Sequence, residues 1–249
     1  MIKKKLLKQQ DIFASMDQSK IYLIPTVLAD DALHTIPSYV LDSIKKCEIF
    51  FVENEKTTRQ YFKKLWKEMI IDNYQWYNIH KAEDSVKNTF ANYIKQGKNI
   101  GIVSEAGCPC IADPGQILVG VAQKLNAKIV PLVGPNSILM ALMASGLNGQ
   151  SFQFVGYLPI DNLEKKKKIK ELESYSSKNN TTQIFIETPY RNNQLLKDIL
   201  ENCNGNTQLC IAANISSSTE NIDTKTIEQW KKTKCDFHKI PTIFLIHSN

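Results

Sequence analysis

Two stretches of this chain combine glycine, proline and small polar residues in a way that suits an organic ligand. Residues 104–115 read SEAGCPCIADPG. Gly107 and Gly115 permit close backbone approach or positive φ, while Pro109 and Pro114 stiffen the loop. The outcome is a wall of backbone N–H and C=O groups, fitted to an adenine, a ribose or an amino-acid moiety. It is not a phosphate loop, because the Walker pattern and GxGxxG are both absent. Residues 130–147 read VPLVGPNSILMALMASGL. Here an apolar run enters Gly134-Pro135, and Asn136 and Ser137 stand where a helix begins. Both are good N-caps, and N–H groups at a helix start can bind a carboxylate. Taken singly, each stretch is also explained by a rigid turn. Cys108 and Cys110 form the one close pair among six cysteines. No second pair or His cluster completes a zinc site with them, so the pattern predicts no metal and reduced thiols.

Those loops need elements to hold them. Apolar runs at 21–24, 47–52, 75–79, 99–104 and 128–132 read as strands. Helical patterns at 37–46, 57–68, 85–96, 114–125 and 136–144 alternate with them, Gly97 closing one and Pro114 opening another. Strands alternating with helices imply a mostly parallel sheet covered on both faces, and its loops gather where ligands bind in such sheets. Beyond SGLNG (145–149) the pattern restarts. Strands are expected at 152–158, 182–187, 209–214 and 242–247, and helices at 164–175, 192–202 and 224–232, with more hairpin-like connections. The expected architecture is therefore α/β: residues 1–20 a polar extension, 21–147 one α/β domain with a mostly parallel sheet, and 148–249 a second with a mixed sheet. A cofactor cleft is expected between the domains.

With 249 residues the chain can build two modest cores, and 43% apolar against 22% charged residues suits a globular protein. No apolar run approaches the roughly 18–20 residues of a membrane span, nor does a signal-peptide core follow the basic start. The expectation is a cytoplasmic protein. A net charge of +6 permits polyanionic partners and selects none. Lys3, Lys4 and Lys5 are read as a solvated end, and Lys165–Lys168 either as a solvated helix face or as phosphate contacts.

Six segments, in order, carry a resemblance. They are IPT at 24–26, Val52-Glu53-Asn54 with Arg59 downstream, GCPCIADPG at 107–115, VPLVGPNS with ASGL, FVGYLP at 154–159, and ETPYR at 187–191. Together they resemble the tetrapyrrole methylase superfamily of S-adenosylmethionine-dependent methyltransferases, and within it the bacterial small-subunit ribosomal RNA ribose 2′-O-methyltransferases. The resemblance implies a homodimer holding S-adenosylmethionine between its domains. It implies cofactor contacts at Pro25, Glu105, Gly107, Cys108, Ile111, Ala112, Ser137, Ala213 and Thr242, with Cys108 standing where Thr is common. Methyl transfer from a sulfonium mainly requires alignment, with a group to take the acceptor's proton. Glu53, Glu105 and Glu187 are the carboxylate candidates, and Arg59 and Arg191 the positioning groups.

Three departures fall on the acceptor side. After Pro25 the relatives continue Ile-Gly-Asn, whereas this chain reads Val27-Leu28-Ala29-Asp30-Asp31. Their Ala-Arg-Glu-Leu-Thr-Lys appears as AANISSSTE (212–220), and their Lys-Gly-Glu as Lys239-Ile240-Pro241. The resemblance implies an ordinary cofactor pocket with an altered acceptor site. The leading expectation is methylation of a ribose hydroxyl in ribosomal RNA. Transfer to a tetrapyrrole or protein, or cofactor binding with little catalysis, are the alternatives.

Overall fold

The computed structural model describes residues 18–80 and 83–248. Lys3, Lys4 and Lys5, and most of the expected extension, lie outside the described residues. The described chain forms two compact units, residues 18–27 with 34–135, and residues 28–33 with 136–248.

The first unit carries β1 (Lys20–Ile24), β2 (Ile49–Val52), β3 (Gln75–Asn78), β4 (Ile100–Val103) and β5 (Lys128–Pro131) in the order β3-β2-β4-β1-β5. Every pairing is parallel. The central strands β2 (IFFV) and β4 (IGIV) are buried along their whole length, as a sheet covered on both faces requires. Gly101 of β4 makes room for its neighbour, since a Cβ there would lie 2.6 Å from the Phe50 ring. Phe50 in turn stacks on Trp76 with ring centroids 4.9 Å apart and meets Phe62 edge-on at 5.0 Å.

Around this sheet run α1 (Tyr39–Ile44), α2 (Glu55–Leu65), α3 (Glu83–Lys95) and α4 (Gln116–Lys124). Asn54 caps α2 by accepting from the Lys56 and Thr57 N–H groups. The start of α4 differs from expectation. Pro114 lies outside the helix, because Gly115 has φ of +123°, a conformation no helical residue adopts. Glu83 of α3 caps α4 from outside, accepting from the Ile117 and Leu118 N–H groups at 2.8 and 3.0 Å.

The second unit holds α5 (Ser137–Ser145), β6 (Phe152–Tyr157), α6 (Asn162–Asn179), β7 (Thr182–Ile186), α7 (Asn192–Asn202), β8 (Gln208–Ala213), β9 (Asn221–Thr226), α8 (Ile227–Lys231) and β10 (Thr242–His247). The sheet order is β6-β7-β10-β8-β9. β6 and β7 are parallel and the remaining pairs antiparallel, so the sheet is mixed. Alternation along β8 and β10 sorts the core. Leu209, Ile211, Phe244 and Ile246 pack with residues of α6, α7 and α8. Cys210, Ala212, Ile243 and Leu245 pack with Ile138, Ala141 and Leu142 of α5.

Two expectations fail here. The helix expected over 224–232 begins as the edge strand β9, whose sequence NIDTKT is mostly polar and half-exposed. Its apolar pattern is too thin to announce a strand, and the backbone ladder to β8 fixes it instead. Only at Thr226 does a helix start, through a reciprocal capping box with Gln229. Lys165, read with its neighbours as a solvated or phosphate-binding cation, is buried on α6 and pairs with buried Asp198 at 3.2 Å. Lys166, Lys167 and Lys168 stand beside Glu201 and Glu171. Lys165 is therefore neutralised inside the fold, while the other three share two exposed glutamates.

Candidate active site

In the first sheet the chain leaves β1 over β4 to reach β2, and leaves β4 over β1 to reach β5. Right-handed crossovers in opposite directions put the following helices on opposite faces. A crevice therefore opens outside the carboxyl ends of β1 and β4, where ligands bind in such sheets. Pro25 and Thr26 follow β1, and residues 104–115 follow β4. The two loops are joined there: the Thr26 N–H donates to the Gly107 carbonyl at 2.8 Å, and its hydroxyl donates to the Ser104 carbonyl at 3.3 Å. The Tyr61 hydroxyl fixes the Pro25 carbonyl at 2.9 Å.

The loop after β5 closes on the same place. The Cys108 thiol donates to the carbonyls of Gly134 and Pro135 at 3.7 and 3.5 Å. Gly134 abuts Pro25 so closely that a Cβ on it would lie 2.1 Å from the proline Cβ. Within the long loop Gly107, Cys110 and Ala112 have positive φ, two of them non-glycine residues. Such strain collects at ligand clamps. Ile111 and Val133 project into solvent, 47% and 70% exposed. Rigid backbone, small side chains and two bare aliphatic groups fit a flat, partly apolar ligand such as an adenosine.

Carboxylates crowd this mouth. Glu53, directly after β2, accepts from the Glu105 N–H at 2.8 Å, and His80 Nδ1 lies 3.5 Å from its other oxygen. Asn54 donates to Glu105 at 3.2 Å. Asp113 is pushed up to about 7, first by burial and then by the charges of Glu53 and Glu105. Burial also pushes the Cys110 thiol up to about 11, so it is a poor nucleophile at neutral pH. Among the described residues no cluster of His, Cys, Asp and Glu has the makings of a metal site.

In the second unit the strand directions gather another group. Tyr157 and Ile243 both pair with Ile186, and Thr242 pairs with Ala213. Leu158, Glu187, Ala213 and Thr242 therefore meet at one end of the sheet. The Glu187 side chain, 2% exposed, accepts on Oε1 from the Thr188 N–H and from Arg191, both at 2.6 Å. Asn192, fully buried, donates to the Ile240 carbonyl at 2.6 Å. The Lys239 N–H donates to the Pro189 carbonyl at 2.9 Å.

The expected residues thus fall into two sets. Pro25, Glu53, Glu105, Gly107 and Cys108 share the mouth of the first sheet, with Ile111 and Ala112 on its loop. Glu187, Arg191, Ala213 and Thr242 share one end of the second sheet. Ser137 is the first residue of α5, where Asn136 accepts from the Leu139 N–H. Arg59 is engaged elsewhere on α2, pairing with Glu55 at 2.5 Å and lying over the Trp76 ring at 5.1 Å. Sequence reading missed Tyr61, Asp113 and His80. Asp113 stood inside a quoted motif, while His80 carries no signal beyond its place just after β3 and Tyr61 none beyond being a buried position of α2.

Comparison with known proteins gives the family and the fold. The family Tetrapyrrole (Corrin/Porphyrin) Methylases matches the chain over residues 20–230. "Ribosomal RNA small subunit methyltransferase I" of Bacillus subtilis is 32% identical over 196 residues, covering 79% of this chain and 64% of that protein. Its namesake in Vibrio cholerae is 31% identical, covering 81% and 67%. The one in Halalkalibacterium halodurans is 30% identical, covering 89% and 73%. The chain thus spans about two thirds of the length of these relatives, and less than that of the first. Among solved structures, the methyltransferase CobJ aligns with a TM-score of 0.61 at 12% identity, over 92% of this chain and 94% of that one. Uroporphyrin-III-C-methyltransferase from Thermus thermophilus aligns with a TM-score of 0.53 at 13% identity, over 92% of each. At such identities the likeness is one of fold.

Proposed function

We infer from what the chain is, a member of the tetrapyrrole (corrin/porphyrin) methylases, that it transfers a methyl group from S-adenosylmethionine to a ribose hydroxyl of ribosomal RNA. The observation carrying this reading is the identity of about 30%, spread over most of the chain, to proteins named for ribosomal RNA methylation. The cytoplasm is its place in this reading. A homodimer is its working form, supported by α5, which buries Ile138 and Leu142 yet leaves Leu139 and Met143 46% and 83% exposed.

Pro25, Gly107, Cys108, Ile111 and Ala112 would hold the adenosine part of the cofactor, with Glu105 beside them. Ser137, Ala213 and Thr242 are the second unit's candidates for cofactor contact. When bound, the cofactor supplies an activated methyl on a positively charged sulfur. Glu53, with one oxygen on the Glu105 N–H, fixes the loop. Arg191 and the Thr188 N–H both occupy Oε1 of Glu187, which leaves Oε2 as the atom to receive the acceptor's proton. Arg59, engaged with Glu55 and the Trp76 ring, braces α2 and takes no part in the transfer.

Calorimetric titration with S-adenosylmethionine and with its demethylated product is expected to give saturable, micromolar binding, and no binding of either would overturn the cofactor assignment. Glu187→Gln is expected to lower labelled methyl transfer to ribosomal RNA by about 100-fold or more with cofactor affinity within twofold. Full activity in that variant would remove Glu187 from the proton path.

A further inference from the structure

Beside the Glu187–Arg191 pair an aromatic side chain stands in the open. Tyr190 is 69% exposed, and what sets it apart is the company it keeps. Lys239 Nζ lies over the ring at 5.7 Å from its centroid, and His238 meets its edge at 6.0 Å. Arg191 follows directly, its side chain 40% exposed.

The two segments that carry these groups are locked together. Asn193 donates to Asp236 at 2.7 Å and accepts from the Phe237 N–H at 2.8 Å. Asn192 holds the Ile240 carbonyl, and the Lys239 N–H holds the Pro189 carbonyl. Lys239 is also a non-glycine residue with φ of +61°, a conformation that the surrounding bonds must enforce. The arrangement is a preformed platform, an exposed ring with one ammonium over it and a second cation on the next residue, with little left to order on binding.

We propose that Tyr190 is a stacking platform for an unpaired nucleobase of the RNA acceptor, with Lys239 and Arg191 contacting the neighbouring phosphates. Unstacked bases are what proteins read in RNA, through aromatic faces and adjacent guanidinium or ammonium groups. The lysine run of α6 carries no exposed ring beside its cations.

The inference rests on the RNA reading above, and its test separates the two. A short single-stranded RNA carrying 2-aminopurine is titrated into the full chain. The wild type is expected to bind and to quench the 2-aminopurine fluorescence by stacking. Tyr190→Phe is expected to preserve both signals. Tyr190→Ala is expected to lose the quench and to weaken binding about 5- to 100-fold, in line with the worth of one base–aromatic stack. Lys239→Gln is expected to keep the quench and lower the salt slope of binding by about one ion. Binding and quenching unchanged in Tyr190→Ala would overturn the platform and leave the RNA reading standing. A wild type that binds no RNA, but binds a carboxylated porphyrin in a Tyr190-dependent way, would overturn both. Calorimetric binding of S-adenosylmethionine, unchanged in all three variants, certifies that each is folded.

Discussion

Alanine at position 134 is expected to destabilise the first unit by about 2–3 kcal/mol and to weaken cofactor binding at least tenfold. The added carbon would sit 2.1 Å from Cβ and 2.5 Å from Cγ of Pro25, far inside van der Waals contact. Neither side can yield cheaply. Proline has no rotamer to change, Pro25 is buried, and its carbonyl is tied to Tyr61. The β5 side is held by the Leu132 N–H on the Leu23 carbonyl at 3.1 Å and by Cys108 on the Gly134 carbonyl. Relief must therefore come from moving the loops apart, which displaces Gly107 and Cys108 together. Gly120 supplies the control. It lies within α4 with nothing within 4 Å of an added Cβ, so Gly120→Ala is expected to stabilise by about 0.5–1 kcal/mol. Urea midpoints and calorimetric titration measure both variants. A Gly134→Ala protein as stable as wild type would mean that the loops after β1 and β5 do not abut.

How much of this was legible in the chain depends on which force decides each feature. The first sheet was readable strand by strand, because β2 and β4 are buried on both faces and show it as unbroken apolar runs. The mouth was readable as two glycine- and proline-bearing loops, since backbone that must approach a ligand or adopt positive φ constrains residue type. β9 was not readable. Its pairing is carried by main-chain hydrogen bonds, and NIDTKT presents too little apolar surface to show a period of two. Lys165 misled for a related reason: four successive lysines look solvated, and only the fold reveals that one of them meets Asp198 from a helix 33 positions away. The carboxylate crowding at Asp113 is local as regards Glu105, which shares its loop, but Glu53 arrives from the neighbouring strand β2, and that part is a property of sheet order.

That crowding leads to a pH dependence whose sign can be worked out. In the unfolded chain Asp113 releases its proton in the ordinary carboxylate range, near 3.8, whereas in the fold it holds the proton to about 7. Between those values the folded state binds more protons than the unfolded one, so this group makes stability fall as pH rises and then level off above about 7. The full shift corresponds to about 4 kcal/mol at 1.36 kcal/mol per unit. The side chain is only half-buried and one of its charged neighbours, Glu105, is exposed, so screening reduces the expected effect to about 1–2 kcal/mol. Asp113→Asn removes the ionisation while keeping the shape. Its urea midpoint is expected to match the wild type at pH 4 and to exceed it increasingly up to about pH 7, with a constant advantage beyond. Parallel profiles for the two proteins would show that Asp113 ionises alike in both states, and hence that Glu53 and Glu105 do not press on it. A gain that appears as expected, and shrinks without vanishing when Glu53→Gln is added, would leave the larger part to burial and assign the remainder to the residue that also anchors the Glu105 N–H. The mouth of the first sheet would then be an assembly in which one carboxylate organises the loop at the expense of another's charge.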